Sequence, residues 1–246
     1  MNSLVKINIQ TQILKMMKKI GIILSIVLIA FACTSTLAQE TQIRKVSGFI
    51  GIEVSEGIKV TLTMGDEEKV EVFADKEYID KVITEVNGND LEIYIKGNNN
   101  WNKGRKIEVK VTAKDINKIH ASSGSSLTTT NKIKTNELKI SVSSGAGANV
   151  ECEVDYVFTD ASSGANAKIK GNTNHFGGTA SSGSSISAND LKAQKAKADV
   201  SSGASIKIHA VKEIKAEASS GGSVKYSGSP EIKDIHKSSG GSVRGV

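Results

Sequence analysis

Three acidic residues recur in phase in the second half of this chain, Asp160, Asp199 and Glu217, and the last two stand 18 residues apart. If the intervening residues make one turn of a coiled β structure, the backbones of Asp199 and Glu217 lie about 5 Å apart. That spacing suits the carboxylate pair with which a β-helix polysaccharide lyase or hydrolase works as acid and base. Lys197 and Lys215 precede them by two residues on the same face. The column therefore also reads as a solvated ladder of mixed charge, without the perturbed environment that an acid–base pair needs. A scaffold is the favoured reading, with no catalytic residue, and the Asp199–Glu217 enzyme is the alternative.

Other reactive side chains add little. Seven Ser-Ser-Gly tripeptides supply many hydroxyls, but none has a His and an acid at a repeating offset. His120 and His236 share one phase yet lie six coils apart, about 29 Å, while His175 and His209 are isolated, so neither a metal nor a cofactor is expected. Cys152, in the alternating run Val150-Glu151-Cys152-Glu153-Val154, reads as a small inward residue with nothing beside it to activate a thiolate. Trp101 is the single Trp, in a polar loop with Asn100, Lys103 and Arg105. These four make a candidate platform for a sugar ring or an interface anchor; alternatively, Trp101 folds back over the end of the structure.

The element that must position all of these is a repeat. Ser-Ser-Gly begins at Ser122, Ser143, Ser162, Ser181, Ser201, Ser219 and Ser238, at intervals of 21, 19, 19, 20, 18 and 19 residues. The residue before the first Ser is Ala121, Val142, Ala161, Ala180, Val200, Ala218 and finally Lys237; five residues after it stand Leu127, Ala148, Ala167, Ile186, Ile206, Val224 and Val243. Polar residues fall between, so the period is two and the repeats are strands. Units this short, with apolar columns in phase, fit the coils of a single-domain all-β solenoid, a β-helix, each coil about 4.8 Å from the last. The tripeptides then form a stacked turn ladder. Gly124, Gly145, Gly164, Gly183, Gly203, Gly221 and Gly240 would supply positive φ, and the Ser hydroxyls would bond backbone groups or the next Ser in the stack.

The first 38 residues differ in character. Met17-Lys18-Lys19, the apolar run Ile20 to Phe31, and Thr36-Leu37-Ala38 before Gln39 read as a secretory signal peptide cleaved after Ala38, with translation starting at Met1, Met16 or Met17. A lipoprotein processed at Cys33 is the second reading. Four of the 32 basic residues and none of the 26 acidic ones precede Gln39, so removal lowers the net charge from +6 to +2. The basic balance belongs to the leader and implies no nucleic-acid partner. After cleavage no transmembrane span is expected, and Cys152 is left without a disulfide partner.

Residues 39–246 read as one domain, with 41–115 forming irregular N-terminal coils and a cap and 116–246 the regular repeats. Within the first part, Asp75 to Glu85 carries the pattern of a short helix with Ile79, Val82 and Ile83 inward, and Asn87-Gly88 marks a turn. Phe49-Ile50-Gly51-Ile52, Ile58-Lys59-Val60-Thr61-Leu62, Gly65-Asp66-Glu67-Glu68-Lys69-Val70, the Asn87-Gly88 turn and Leu91-Glu92-Ile93, followed by the Ser/Gly-rich repeats, resemble the auto-transporter adhesin head domain, also called the GIN domain. The resemblance covers about residues 43–246. It implies a β-helix and an extracytoplasmic address: periplasm, outer-membrane surface or secretion. The expected function is non-enzymatic binding of a glycan or protein at the cell envelope. The open last coil, from Ser238 to Val246, adds the expectation of a homo-oligomer through that end.

Overall fold

The computed structural model describes residues 39–97 and 106–246. The leader, with Cys33 and the expected cleavage site, and the loop carrying Asn100, Trp101, Lys103 and Arg105 lie outside the described residues.

The repeat region folds as parallel strands that run around a solenoid: β8 (Lys118–Ala121), β9 (Ser126–Thr129), β10 (Ile133–Val142), β11 (Gly147–Ala161), β12 (Asn166–Ala180), β13 (Ser185–Val200), β14 (Ser205–Ala218), β15 (Ser223–Ser227), β16 (Ile232–Lys237) and β17 (Ser242–Gly245). Parallel pairing with matched register puts equivalent residues on top of each other. Val142, Ala161, Ala180, Val200 and Ala218 form one column, and Ala148, Ala167, Ile186, Ile206, Val224 and Val243 another. All eleven are buried. Burial of each Val or Ile side chain contributes about 1.5–3 kcal/mol.

The strands bend where two outward residues follow each other. In β13 the buried sets Ile186/Ala188, Leu191/Ala193 and Ala196/Ala198/Val200 are separated by Asn189-Asp190 and Gln194-Lys195. A strict period of two along a straight strand would bury one of each pair; a corner leaves both in solvent.

Each Ser-Ser-Gly is a type I′ turn. The N–H of Ser125 donates to the carbonyl of Ser122 at 3.0 Å, and the two central residues, Ser123 and Gly124, have φ of 51° and 71°. The sequence reading placed the left-handed conformation on Gly alone. The second Ser shares it in all seven copies, with φ between 45° and 52°. Turn joins turn through the main chain: the N–H of Gly145 reaches the carbonyl of Ser163 at 3.1 Å, and Gly124, Gly164, Gly183, Gly203 and Gly221 repeat the bond. Behind the first six turns a further column holds Ser125, Ala146, Ala165, Ser184, Ala204 and Gly222, all buried. It must be small: a Cβ on Gly222 would stand 2.8 Å from the Val200 carbonyl oxygen, and the Ser125 and Ser184 hydroxyls donate to the carbonyls of Val54 and Ala161 at 3.0 and 2.8 Å.

The N-terminal half has an order that its sequence does not announce. Its strands are β1 (Gln39–Arg44), β2 (Gly51–Val54), β3 (Lys59–Met64), β4 (Lys69–Asp75), β5 (Val82–Asn87), β6 (Asp90–Ile95) and β7 (Glu108–Ala113). β2 pairs with β6 on one side and β8 on the other, and β3 likewise lies between β7 and β9. The first coil in the chain is therefore second in the stack, and the coil made by β6 and β7 lies outside it. Ser55-Glu56-Gly57 closes that first coil with φ of 62° and 75° at its last two residues, and the Gly57 N–H donates to Ser123 at 3.0 Å. It is an eighth copy of the turn, disguised by Glu56.

The outermost coil is covered by antiparallel strands, β5 on β6 and β4 on β7, with β1 on β4. This is where the expected helix fails. Asp75 to Glu85 forms a single 3-10 turn, Ile79–Lys81, followed by β5. Val82, Ile83, Thr84 and Val86 are β-branched and favour the extended form, and a strand here pairs the edge of β6 that a helix would leave open. Ile79 and Val82 are buried as expected, whereas Ile83 is half-buried. At the other end β16 and β17 pair only with β14 and β15 among the described residues. Lys233 and Lys237 stand there at the inward register of Ile214 and Ala218, and both are exposed.

Candidate functional site

The strand leading into each turn presents an outward column of His120, Ser141, Asp160, Thr179, Asp199, Glu217 and His236. Asp199 and Glu217 are direct register partners, as the 18-residue spacing implied. Their surroundings are those of a charge ladder. Lys197 Nζ lies 3.2 Å from Asp199 Oδ2, and Lys215 turns to Glu213 at 3.6 Å instead of to Glu217. Glu213 is also 3.8 Å from Lys195. Glu217 is exposed. Asp199 and Glu217 line a cavity of about 530 Å³ with His236 and Lys237, and Asp199 Oδ1 is buried there without a hydrogen-bond partner, so the face can bind a polar ligand.

Two columns further from the turn, β11 carries large aromatic side chains outward. Tyr156 and Phe158 are 38% and 41% exposed, with ring centroids 6.5 Å apart and planes within 10°. Tyr156 also stacks on His175 of the next coil, its register partner, at 4.7 Å and 9°. Phe158 stands opposite Gly177, where a Cβ would lie 3.0 Å from Phe158 Cδ1. The missing side chain lets the ring lie flat along the sheet. The sequence reading passed over this trio; Tyr-Val-Phe at outward, inward and outward phases was the available signal.

Residue 155, immediately before Tyr156, begins a corner. Asn174 Nδ2 donates to Asp155 Oδ1 at 2.7 Å, and Thr173 Oγ1 to the Asp155 carbonyl at 3.0 Å. Together with Thr135, Asn172, Lys192 and Gln194 they line an open groove of about 680 Å³. The aromatic face and the groove meet at the 155–156 step.

Cys152 and Lys118 are among the groups with altered acidity. Burial pushes the Cys152 thiol up to about 12, and its side chain is inward as the alternation required. Lys118 donates to Asp90 and Glu53 at 2.6 Å each, and these two bonds hold its ammonium protonated beyond the usual lysine range. Since Asp90, Glu53 and Lys118 belong to β6, β2 and β8, this ion cluster pins the out-of-order coil between its neighbours. Among the described residues no group of His, Cys, Asp and Glu is arranged to hold a metal, and no helix is long and apolar enough to cross a membrane.

The same fold occurs in solved bacterial proteins. The chain is similar to a "putative adhesin" from Bacteroides fragilis, with a TM-score of 0.79 at 19% identity over 85% of this chain and 97% of that one. A "putative lipid binding protein" from Parabacteroides distasonis (TM-score 0.67, 21% identity, 85% and 96% covered) and a "putative adhesin" from Parabacteroides merdae (0.66, 19%, 85% and 96%) are also similar. No curated protein matches in sequence. A family model described as "Putative auto-transporter adhesin, head GIN domain" matches residues 48–230, from just before β2 to just past β15. With most of its length inside that match and the β-helix in place, the chain belongs to the GIN-domain adhesin head family.

Proposed function

We propose that this chain is an exported, non-enzymatic adhesin head, delivered across the inner membrane by residues 1–38, whose β-helix holds a rigid outer face against a glycan or protein at the cell envelope. The observation that carries the reading is the family match across the solenoid. Support comes from the outward face itself, where Asp199 is ion-paired with Lys197 and Glu217 is exposed. The test is attachment of the labelled full chain, recovered after expression with its own leader, to bacterial envelopes and to epithelial surfaces, with and without periodate treatment. Saturable attachment is expected. Reducing-sugar and unsaturated-product assays on the same polysaccharides, with Asp199→Asn as control, should give no turnover; turnover abolished by that substitution would replace this reading with the enzymatic one.

A second copy is a further partner of the last coil. Among the described residues no strand pairs with the outer edges of β16 and β17, and such edges are templates for strand addition; Lys233 and Lys237 at inward positions set the concentration at which it happens. Light scattering should show Lys233→Ile/Lys237→Val associating at lower concentration than the native sequence.

A further inference from the structure

We propose that the outward face of β11 and β12 around the 155–156 corner is a binding site for a neutral oligosaccharide, an inference that rests on the adhesin reading and gives it a location. A sugar ring presents an apolar C–H face and a rim of hydroxyls that both donate and accept. The corner offers the complement of each. Tyr156 and Phe158 expose nearly parallel rings on a flat sheet, broad apolar surfaces held at little entropic cost. His175 backs Tyr156 from the next coil and fixes its plane.

One step around the corner, Asp155, Asn172, Asn174 and Gln194 put carboxylate and amide groups along the groove. Amides both donate and accept, whereas carboxylates accept only, so a run of these groups suits hydroxyls better than it suits either an anion or a cation. Charge bears this out. The flanking Lys139 and Lys197 are already paired, with Glu137 at 3.0 Å and Asp199 at 3.2 Å, and Glu153 at the groove is held by Lys132 at 3.1 Å. The groove lining itself sets one lysine, Lys192, against two acids, Glu153 and Asp155, and so offers no cluster of cations for a phosphate or sulfate group. One sugar lies on the aromatic face, and the next residues of the chain run across the corner into the groove.

The experiment is an array of defined oligosaccharides, neutral and sulfated, probed with the full chain expressed with its own leader, followed by calorimetric titration of the neutral oligosaccharide bound most strongly. Tyr156→Ala and Phe158→Ala should each weaken binding by about tenfold or more, as exposed aromatic anchors do. Asn174→Ala tests the groove side, and Glu217→Ala, three coils away on the same face, should leave affinity unchanged. Circular dichroism and melting temperature show that each variant is folded; should one aromatic variant unfold, the other and Asn174→Ala decide. Neutral-sugar binding that survives all three substitutions overturns the site. Binding of sulfated sugars only, of peptide only, or of nothing on the array overturns the ligand class. The surface-attachment assay with periodate-treated surfaces is scored independently, so failure of this site and failure of the adhesin reading are distinguishable.

Discussion

Gly145 and Ser163 belong to successive coils, and the N–H of the first donates to the carbonyl of the second across 3.1 Å because the residue before each glycine, a serine, is itself left-handed. Two consecutive positive φ values aim these amides along the stack. An L-residue pays about 1–2 kcal/mol to adopt that conformation, and a β-branched one is a genuine outlier there, so the residue at the second Ser position has a measurable effect. Ser163→Val should lower stability in urea by at least that amount, Ser163→Gly should hold or raise it, and Gly164→Ala should lose about 1 kcal/mol. A Ser163→Val protein as stable as the native one would contradict the turn assigned here.

The inward and outward phases of β14 differ in what they tolerate. Ile206 is fully buried and Lys207 exposed. Ile206→Asp places an unpaired charge among stacked apolar neighbours and should abolish cooperative folding or lower stability by more than about 4 kcal/mol. Lys207→Asp should stay within about 0.5 kcal/mol. Paired thermal melts check the register directly.

Behind the turns, Ala165 is enclosed. Ala165→Leu should cost about 1–3 kcal/mol by overpacking, and Ala165→Ser should be mild because Ser125 and Ser184 occupy the same column.

Cys152 supplies a pH dependence. Its folded thiol titrates near 12 against an ordinary value of 9.0. A raised folded value means that the contribution to stability is complete below 9.0 and is lost as pH rises toward 12, because the unfolded chain ionises first. Ellman's reagent at pH 8 should leave the native thiol untouched and titrate one thiol per mature chain in denaturant. Rapid labelling of native protein would show that the thiol is not enclosed.

Export has its own readout. Intact mass of protein from the native host's envelope should correspond to a chain beginning at Gln39; a diacylated Cys33 would establish the lipoprotein route instead.

What could be read from residues alone followed a physical pattern. Leu127, Ile186 and Ile206 were legible as core because a strand's side-chain period is local, and Asn87-Gly88 was legible as a turn because its chemistry is carried by two residues. The placement of β2 between β6 and β8 was not, since alternation says which face is inward and nothing about which strand lies beside it. Glu56 hid a turn by changing the side chain while keeping the backbone conformation. Asp75 to Glu85 has a spacing that fits a helix, and the unpaired edge of β6, visible only in three dimensions, decided for a strand. Of the candidate site, the Asp199–Glu217 pairing was foreseen; the aromatic face was missed because Tyr156 and Phe158 were outside the columns that defined the repeat.

The insertion of the first coil between the second and third has a consequence for growth of the molecule. Coils from β10 onward pair only with their sequence neighbours, so a unit can be duplicated or deleted there while the bonding pattern simply closes over the change. Around β2 and β3 no such edit is neutral, because removing either flanking coil strips a partner from strands that were made earlier in the chain. Lineages carrying this architecture should therefore vary in length at the C-terminal side of β9 and keep their coil number constant before it.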